Sequence, residues 1–205
     1  FLNIKARTEG IDPEAVVIVA TIRALKMHGG LSKAELGKED TEALTKGFAN
    51  LKKHIETIES FGLPYVVAIN RFISDSENEI EVLTELCSEA GMPVALTEVW
   101  EKGGQGGIEL AEKLLGILDE KAANFSHLYD LSLPLEEKIL TVAQTVYGAS
   151  KVEYSTKAKK QIKDFESFGW GVLPVCMAKT QYSLSDDPSK LGRPSDFTIT
   201  IRELK

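Results

Sequence analysis

Residues 15–21 read Ala-Val-Val-Ile-Val-Ala-Thr, and residues 64–70 read Pro-Tyr-Val-Val-Ala-Ile-Asn. Neither run alternates apolar with polar side chains. A strand with one wet face alternates with a period of two, whereas an unbroken β-branched run suits a strand buried on both faces, as in a parallel sheet. The intervening sequence agrees. Leu44, Phe48, Leu51, Ile55 and Ile58 recur at steps of three and four, marking a long amphipathic helix from near Asp40 to Gly62. Ser74-Asp75-Ser76-Glu77 reads as a capping box that opens a helix to about Ala90, with Gly91 behind it. Pro93-Val94-Ala95-Leu96 is a third, shorter strand. After it comes a glycine-rich loop, and from about Ile108 a helix with Leu110, Ala111, Leu114, Leu115 and Leu118 on its apolar face. The order β-α-β-α-β-α predicts a parallel sheet with right-handed crossovers and flanking helices.

A break near 122–131 precedes a second set of elements. Pro134 is expected at the first position of a helix that carries Ile139, Leu140, Val142, Ala143 and Val146 and stops at Gly148. A helix from Ser155 carries Ile162 and Phe165. Leu173–Ala178 reads as a strand, Ser183–Ser195 as a polar loop, and Phe197–Ile201 as an alternating strand. The expected organisation is an α/β nucleotide- or folate-binding part over 1–124 and a smaller α/β unit over 125–205, truncated at its C-terminal end. No initiator Met stands at Phe1 and nothing caps the last strand, so both ends look cut and a piece of a longer protein is expected.

The 205 residues carry 24 Lys and Arg against 31 Asp and Glu, a net charge of −7. Without a basic stripe, nucleic acid and anionic membrane are excluded as expected partners. No apolar run approaches the ~18 residues of a membrane span. Cys87 and Cys176 each sit in an apolar run and are expected as buried free thiols in a reducing cytosol.

In parallel sheets ligands gather at the carboxyl ends of strands, where loops and helix N-termini converge. Four stretches follow such ends. Lys26-Met27-His28-Gly29-Gly30 offers a cation, an imidazole and mobile N–H groups for a phosphate, or is simply a helix C-terminus. Asn70-Arg71-Phe72 offers an amide for a purine edge, and in Phe72 either a stacking face or a staple onto the next helix. Trp100 stands before Gly103, Gly104, Gly106 and Gly107, so it is either half-buried packing or a stacking wall beside a backbone that can approach a ligand closely. Lys179–Ser183 is polar and either reaches the cleft or is a plain loop. Phe72 and Trp100 leave consecutive strand ends and could wall one slot. Several motifs are missing. Gly37-Lys38 has Ser32 where a phosphate-binding loop needs glycine and no Ser or Thr after the lysine. His28, His54 and His127 have no metal-ligand spacing, so no metal site is expected.

Taken together, VATIRALKMHGG (19–30), KGFANLKKHIE (46–56), VVAINRF (66–72), ALTEVWEKGGQGG (95–107), TVYGA (145–149) and LPVCMAKTQYSLSDDPSKLGRP (173–194) closely resemble formate–tetrahydrofolate ligase, in order and over essentially the whole chain. The resemblance implies a P-loop NTPase-like α/β fold and an ATP- and Mg2+-dependent enzyme that makes formyl phosphate from formate and passes the formyl group to tetrahydrofolate. It implies a cytoplasmic homo-oligomer. It places the folate slot at Phe72 and Trp100, with Leu96 as an apolar contact and Ile73 at the slot edge, where some members carry Pro. Less firmly, it places Asn70, Lys26, His28, Gly29 and Gly30 on the nucleotide or phosphate side. The phosphate-binding lysine would lie outside this chain, which is therefore expected to be inactive alone. The alternative is a non-catalytic folate- or nucleotide-binding module.

Overall fold

The unbroken apolar runs do form parallel strands. The computed structural model describes residues 1–205. In chain order these form helix α1 (Lys5–Glu9), strand β1 (Val16–Ala20), helices α2 (Ile22–His28) and α3 (Thr41–Glu59), strand β2 (Tyr65–Asn70), helix α4 (Glu77–Glu89), strand β3 (Val94–Thr97), helices α5 (Val99–Lys102), α6 (Ile108–Glu120) and α7 (Leu135–Val142), strand β4 (Lys151–Tyr154), helix α8 (Thr156–Ser167) and strand β5 (Thr198–Ile201). The fold is α/β, with helices flanking parallel sheets. Chain contacts divide it into two units: Pro13–Phe125 with Leu191–Arg193, and Phe1–Asp12 with Ser126–Lys190 and Pro194–Lys205.

In the first of these units the sheet runs β1-β2-β3, all parallel. The register pairs Ala20 with Ile69 and Asn70 with Thr97, so the carboxyl ends of β2 and β3 lie side by side. Central β2 is buried at Val66, Val67, Ala68 and Ile69, on both faces, as expected, whereas edge strand β1 is not: its Val17 and Val19 face outward and are exposed, because no element covers that side of the edge strand. Leu44, Phe48, Leu51 and Ile55 of α3 and Ile80, Leu83 and Cys87 of α4 pack with Val67, Ile69 and Val94 in one core. Each such aliphatic side chain contributes about 1.5–3 kcal/mol when fully buried, an upper figure because unfolded chains already hide some apolar surface. Asp40 caps α3 by accepting the Ala43 N–H at 2.8 Å. The capping box of α4 is Ser76 with Glu79, two residues beyond the expected Ser74–Glu77. The shift has a local cause. On leaving β2 the chain first makes a turn in which the Phe72 N–H donates to the Asp75 carboxylate at 2.8 Å and the Asp75 N–H to the Phe72 carbonyl at 3.0 Å.

The other unit departs further from expectation. Leu173–Ala178 is extended but belongs to no sheet. Its polar backbone is met by side chains instead. The Val175 N–H donates to the Tyr129 hydroxyl at 2.8 Å, and the buried Lys138 ammonium donates to the carbonyls of Gly171 and Leu173. The partner of the 198–201 strand is β4, Lys-Val-Glu-Tyr, paired in parallel from Lys151↔Thr198 to Tyr154↔Ile201. Pro134 stands one place before the first helical residue, in an extended conformation (ψ 150°). The helix widens to a π-turn over Ala143–Tyr147 and ends at Gly148, whose φ of +78° suits glycine. Cys87 is buried, and burial pushes its thiol up to about 12. Cys176, expected to be buried, is exposed because its segment joins no sheet. No helix is long and apolar enough to cross a membrane.

Candidate functional site

The carboxyl ends of β2 and β3 bring two aromatic side chains to one edge. Beyond Asn70 the ladder continues by one bond, from the Arg71 N–H to the Thr97 carbonyl at 3.1 Å. Phe72 follows, 40% exposed, and Ile73 lies at the tip of the turn at 89%. Asp75 holds that turn through one carboxylate oxygen, while its other oxygen is buried without a partner. Burial raises the Asp75 carboxyl above its ordinary value, with the Phe72 N–H opposing the shift. Leu96, half-buried on β3, packs against the core just before the chain reaches Trp100. The Asn70 side-chain amide, at the end of β2, has no hydrogen-bond partner within the protein.

Trp100 lies on α5, a single helical turn, and is 56% exposed. Its indole N–H donates to the Arg71 carbonyl at 2.8 Å, which fixes one edge of the ring and leaves the rest to solvent. The glycines behind it are not the open loop that their composition suggested. Gly103–Gly107 is wound into a 3₁₀ turn, and the Glu98 N–H donates to the Gly106 carbonyl at 3.0 Å. A Cβ at Gly106 would lie 2.5 Å from the Glu98 carbonyl group, so glycine there permits a close backbone approach within the protein.

The 26–30 stretch forms the end of α2. A seven-residue helix spans about 10 Å, so its C-terminus lies well away from the carboxyl edge where it began. Lys26 is not the accessible cation that the sequence suggested. Its ammonium is buried, 2.7 Å from Glu79 Oε1 and 2.7 Å from the Lys38 carbonyl, with both side chains 1% exposed. Gly29 donates its N–H to the Leu25 carbonyl at 2.8 Å, and Gly30 adopts φ +103°. His28 accepts the Gly192 N–H on Nδ1 at 3.2 Å. Burial, and then the neighbouring His54, lower the His28 imidazole below its ordinary 6.5. The unfolded chain therefore takes up a proton at a higher pH than the native one does. Stability should fall as pH drops through about 6.5 toward the lowered native value, and stay level below it. Protonation would also remove the acceptor used by Gly192. Urea unfolding from pH 7.5 to 5 should show this loss in the wild type and a shallower one in His28→Asn.

In the 126–190 part, the Lys179 ammonium donates to the Ser183 carbonyl and lies 4.7 Å from the centroid of the Tyr147 ring. Those bonds fold the 179–183 segment onto its own unit. Sequence reasoning missed the roles of Glu79, Asp75 and Glu98. Glu79 signals itself only as a helix-capping residue three places after Ser76, and nothing in the sequence links it to a lysine 53 positions earlier.

A parallel sheet flanked by helices places the β1–β3 unit in the α/β class of folds. Within that class, the family model described as formate–tetrahydrofolate ligase matches residues 1–205, and the chain belongs to that family. The family's activity is a ligase reaction on formate and tetrahydrofolate, and the family generally uses ATP and Mg2+. No group of three or more His, Cys, Asp or Glu side chains is placed to hold a metal ion.

Proposed function

We propose that the chain carries the folate slot of an enzyme that makes 10-formyltetrahydrofolate from formate, ATP and tetrahydrofolate through formyl phosphate. The supporting observation is the pair of half-exposed rings at adjacent strand ends, with Trp100 anchored by its indole N–H. A formate oxygen attacks the γ-phosphorus and ADP departs. N10 of the folate then attacks the formyl carbon, phosphate leaves, and N10 gives up its proton. Phe72 and Trp100 would hold the pterin by its faces, with Leu96 and Ile73 as apolar neighbours, so that N10 meets the acyl phosphate in a fixed pose. Positioning of this kind contributes up to about 7–11 kcal/mol to lowering a barrier. The unpartnered Asn70 amide is the candidate for the nucleotide side. With Lys26 committed to Glu79, gripping the phosphates falls to residues outside this chain.

Trp100→Ala tests the slot. Loss of one stacked base costs roughly 1–3 kcal/mol. Calorimetric affinity for folic acid should therefore fall about 5- to 150-fold. The melting temperature should barely move, because the ring is half in water. Unchanged affinity would remove Trp100 from the slot. A large fall in melting temperature with no folic acid binding by the parent would make Trp100 a packing residue.

A further inference from the structure

We propose that Arg71 is a positioning residue that sets the separation and tilt of the two slot walls, an inference that rests on the reading of Phe72 and Trp100 as the folate slot. Arg71 precedes Phe72 directly and touches every element that fixes Trp100. Its N–H reaches the Thr97 carbonyl at the end of β3 (3.1 Å), and its carbonyl receives the Trp100 indole N–H (2.8 Å). Its guanidinium spans two carboxylates. Nη1 is 3.0 Å from Glu98 Oε1, and Nη2 donates to Glu77 at the start of α4.

Glu98 is the other half of the device. It is the residue before α5, and its side chain offers that helix no capping bond. A single helical turn is not stable by itself. Glu98 is held instead by its own N–H on the Gly106 carbonyl and by the Lys102 ammonium on its second carboxylate oxygen. Trp100 is thus constrained at both ends. The Arg71–Glu98 pair fixes the turn that carries its Cα, and the Arg71 carbonyl fixes the far edge of the ring. The Arg71–Glu77 pair, open to water at its Glu77 end, contributes little to folding stability, while the Arg71–Glu98 pair is more sheltered. What the arrangement supplies is geometry. A planar guanidinium can fork between Glu98 and Glu77, whereas a lysine ammonium on a flexible stem does not hold two carboxylates in one plane.

Lysine or methionine at 71 keeps the backbone N–H and carbonyl that bond Thr97 and Trp100, so the guanidinium can be tested without removing those bonds. The experiment uses this chain with Trp170→Phe, which leaves Trp100 as the single tryptophan. Arg71→Lys and Arg71→Met are compared with it. Without ligand, both variants should lower Trp100 fluorescence anisotropy and shift its emission to the red, while the melting temperature stays within about 2 °C. Folic acid affinity should fall roughly tenfold in Arg71→Met. Adding Glu98→Gln should then cause little further loss, because the pair is already broken. Anisotropy and emission unchanged in both variants would overturn the proposal whether or not folic acid binds. Parental binding that Arg71→Met retains in full would overturn it as well. Failure of the parent to bind folic acid, with the anisotropy change present, would sink the slot reading and leave Arg71 as the residue that orients Trp100.

Discussion

Lys26→Met is expected to lower folding stability by about 3–5 kcal/mol, because it strands a buried carboxylate. Lys26 donates to Glu79 Oε1 and to the Lys38 carbonyl, each at 2.7 Å, inside the protein. Glu79 also accepts the N–H groups of Asp40 at 2.9 Å and Ser76 at 3.3 Å. The pair therefore ties the last turn of α2, the start of α3 and the N-terminus of α4 to one point. Methionine fills the lysine's volume without its charge, and the Glu79 carboxylate is left out of water with no cation, only the N–H groups of Asp40 and Ser76 and the Ser76 hydroxyl as donors. Glu79→Gln strands the ammonium instead and should cost a similar amount. The double variant removes both charges, and the glutamine carbonyl can still accept the Asp40 N–H. Its loss in urea unfolding should be clearly smaller than the sum of the single losses. Strict additivity would show that the two charges do not act as a pair.

The sheet was legible because its signal is local. An unbroken β-branched run can be read within seven positions, and β1 and β2 lie where those runs stand, although only β2 is buried on both faces while β1 exposes Val17 and Val19. The helix periodicities of α3 and α6 are equally local. What failed depended on partners. Leu173–Ala178 has strand composition, but a strand also needs a neighbouring edge, and this segment's backbone bonds went to Tyr129 and Lys138. Lys151–Tyr154 is short and half polar, yet it found the edge of Thr198–Ile201. Glycine content marked 103–107 as flexible, whereas the bond from Glu98 to Gly106 winds it into a turn.

The candidate site divides along the same line. That Phe72 and Trp100 would share an edge followed from counting residues past two strand ends, and the Asn70↔Thr97 register places those ends together. The family motifs pointed to the same two side chains. Lys26 misled because a lysine near the end of a helix reads the same from sequence whether its ammonium is in water or in a buried pair. Arg71 and Glu98 were passed over because both are ordinary charged residues. Only their geometry, with one guanidinium between two carboxylates and one carbonyl under an indole, gives them a role.

Gly47→Ala should destabilise the chain by roughly 3 kcal/mol, although intrinsic helix propensity alone predicts a gain of about 1 kcal/mol. Gly47 lies inside α3, where glycine needs a reason. A Cβ there would lie 1.8 Å from the Leu25 carbonyl oxygen and 2.9 Å from the Gly29 nitrogen. The converse also holds, since a Cβ at Gly29 would lie 1.8 Å from the Ala43 carbonyl oxygen. Helices α2 and α3 thus cross with backbone against backbone, and both glycines are spent on that approach. The obstructing atoms belong to the main chain, so no rotamer change relieves the clash. The helices must part by about 1.5 Å to restore ordinary contact distances. Parting them would loosen the packing of Ile22 and Leu25 against Leu44, Phe48 and Leu51 in the core. Gly116 supplies the control. It too lies inside a helix, α6, but a Cβ there meets nothing within 4 Å. Gly116→Ala should therefore stabilise by about 0.5–1 kcal/mol. In thermal melts the two substitutions should move the midpoint in opposite directions, by roughly 2–4 °C per kcal/mol for a chain of this size. A Gly47→Ala midpoint at or above the wild type would mean that α2 and α3 do not cross this closely.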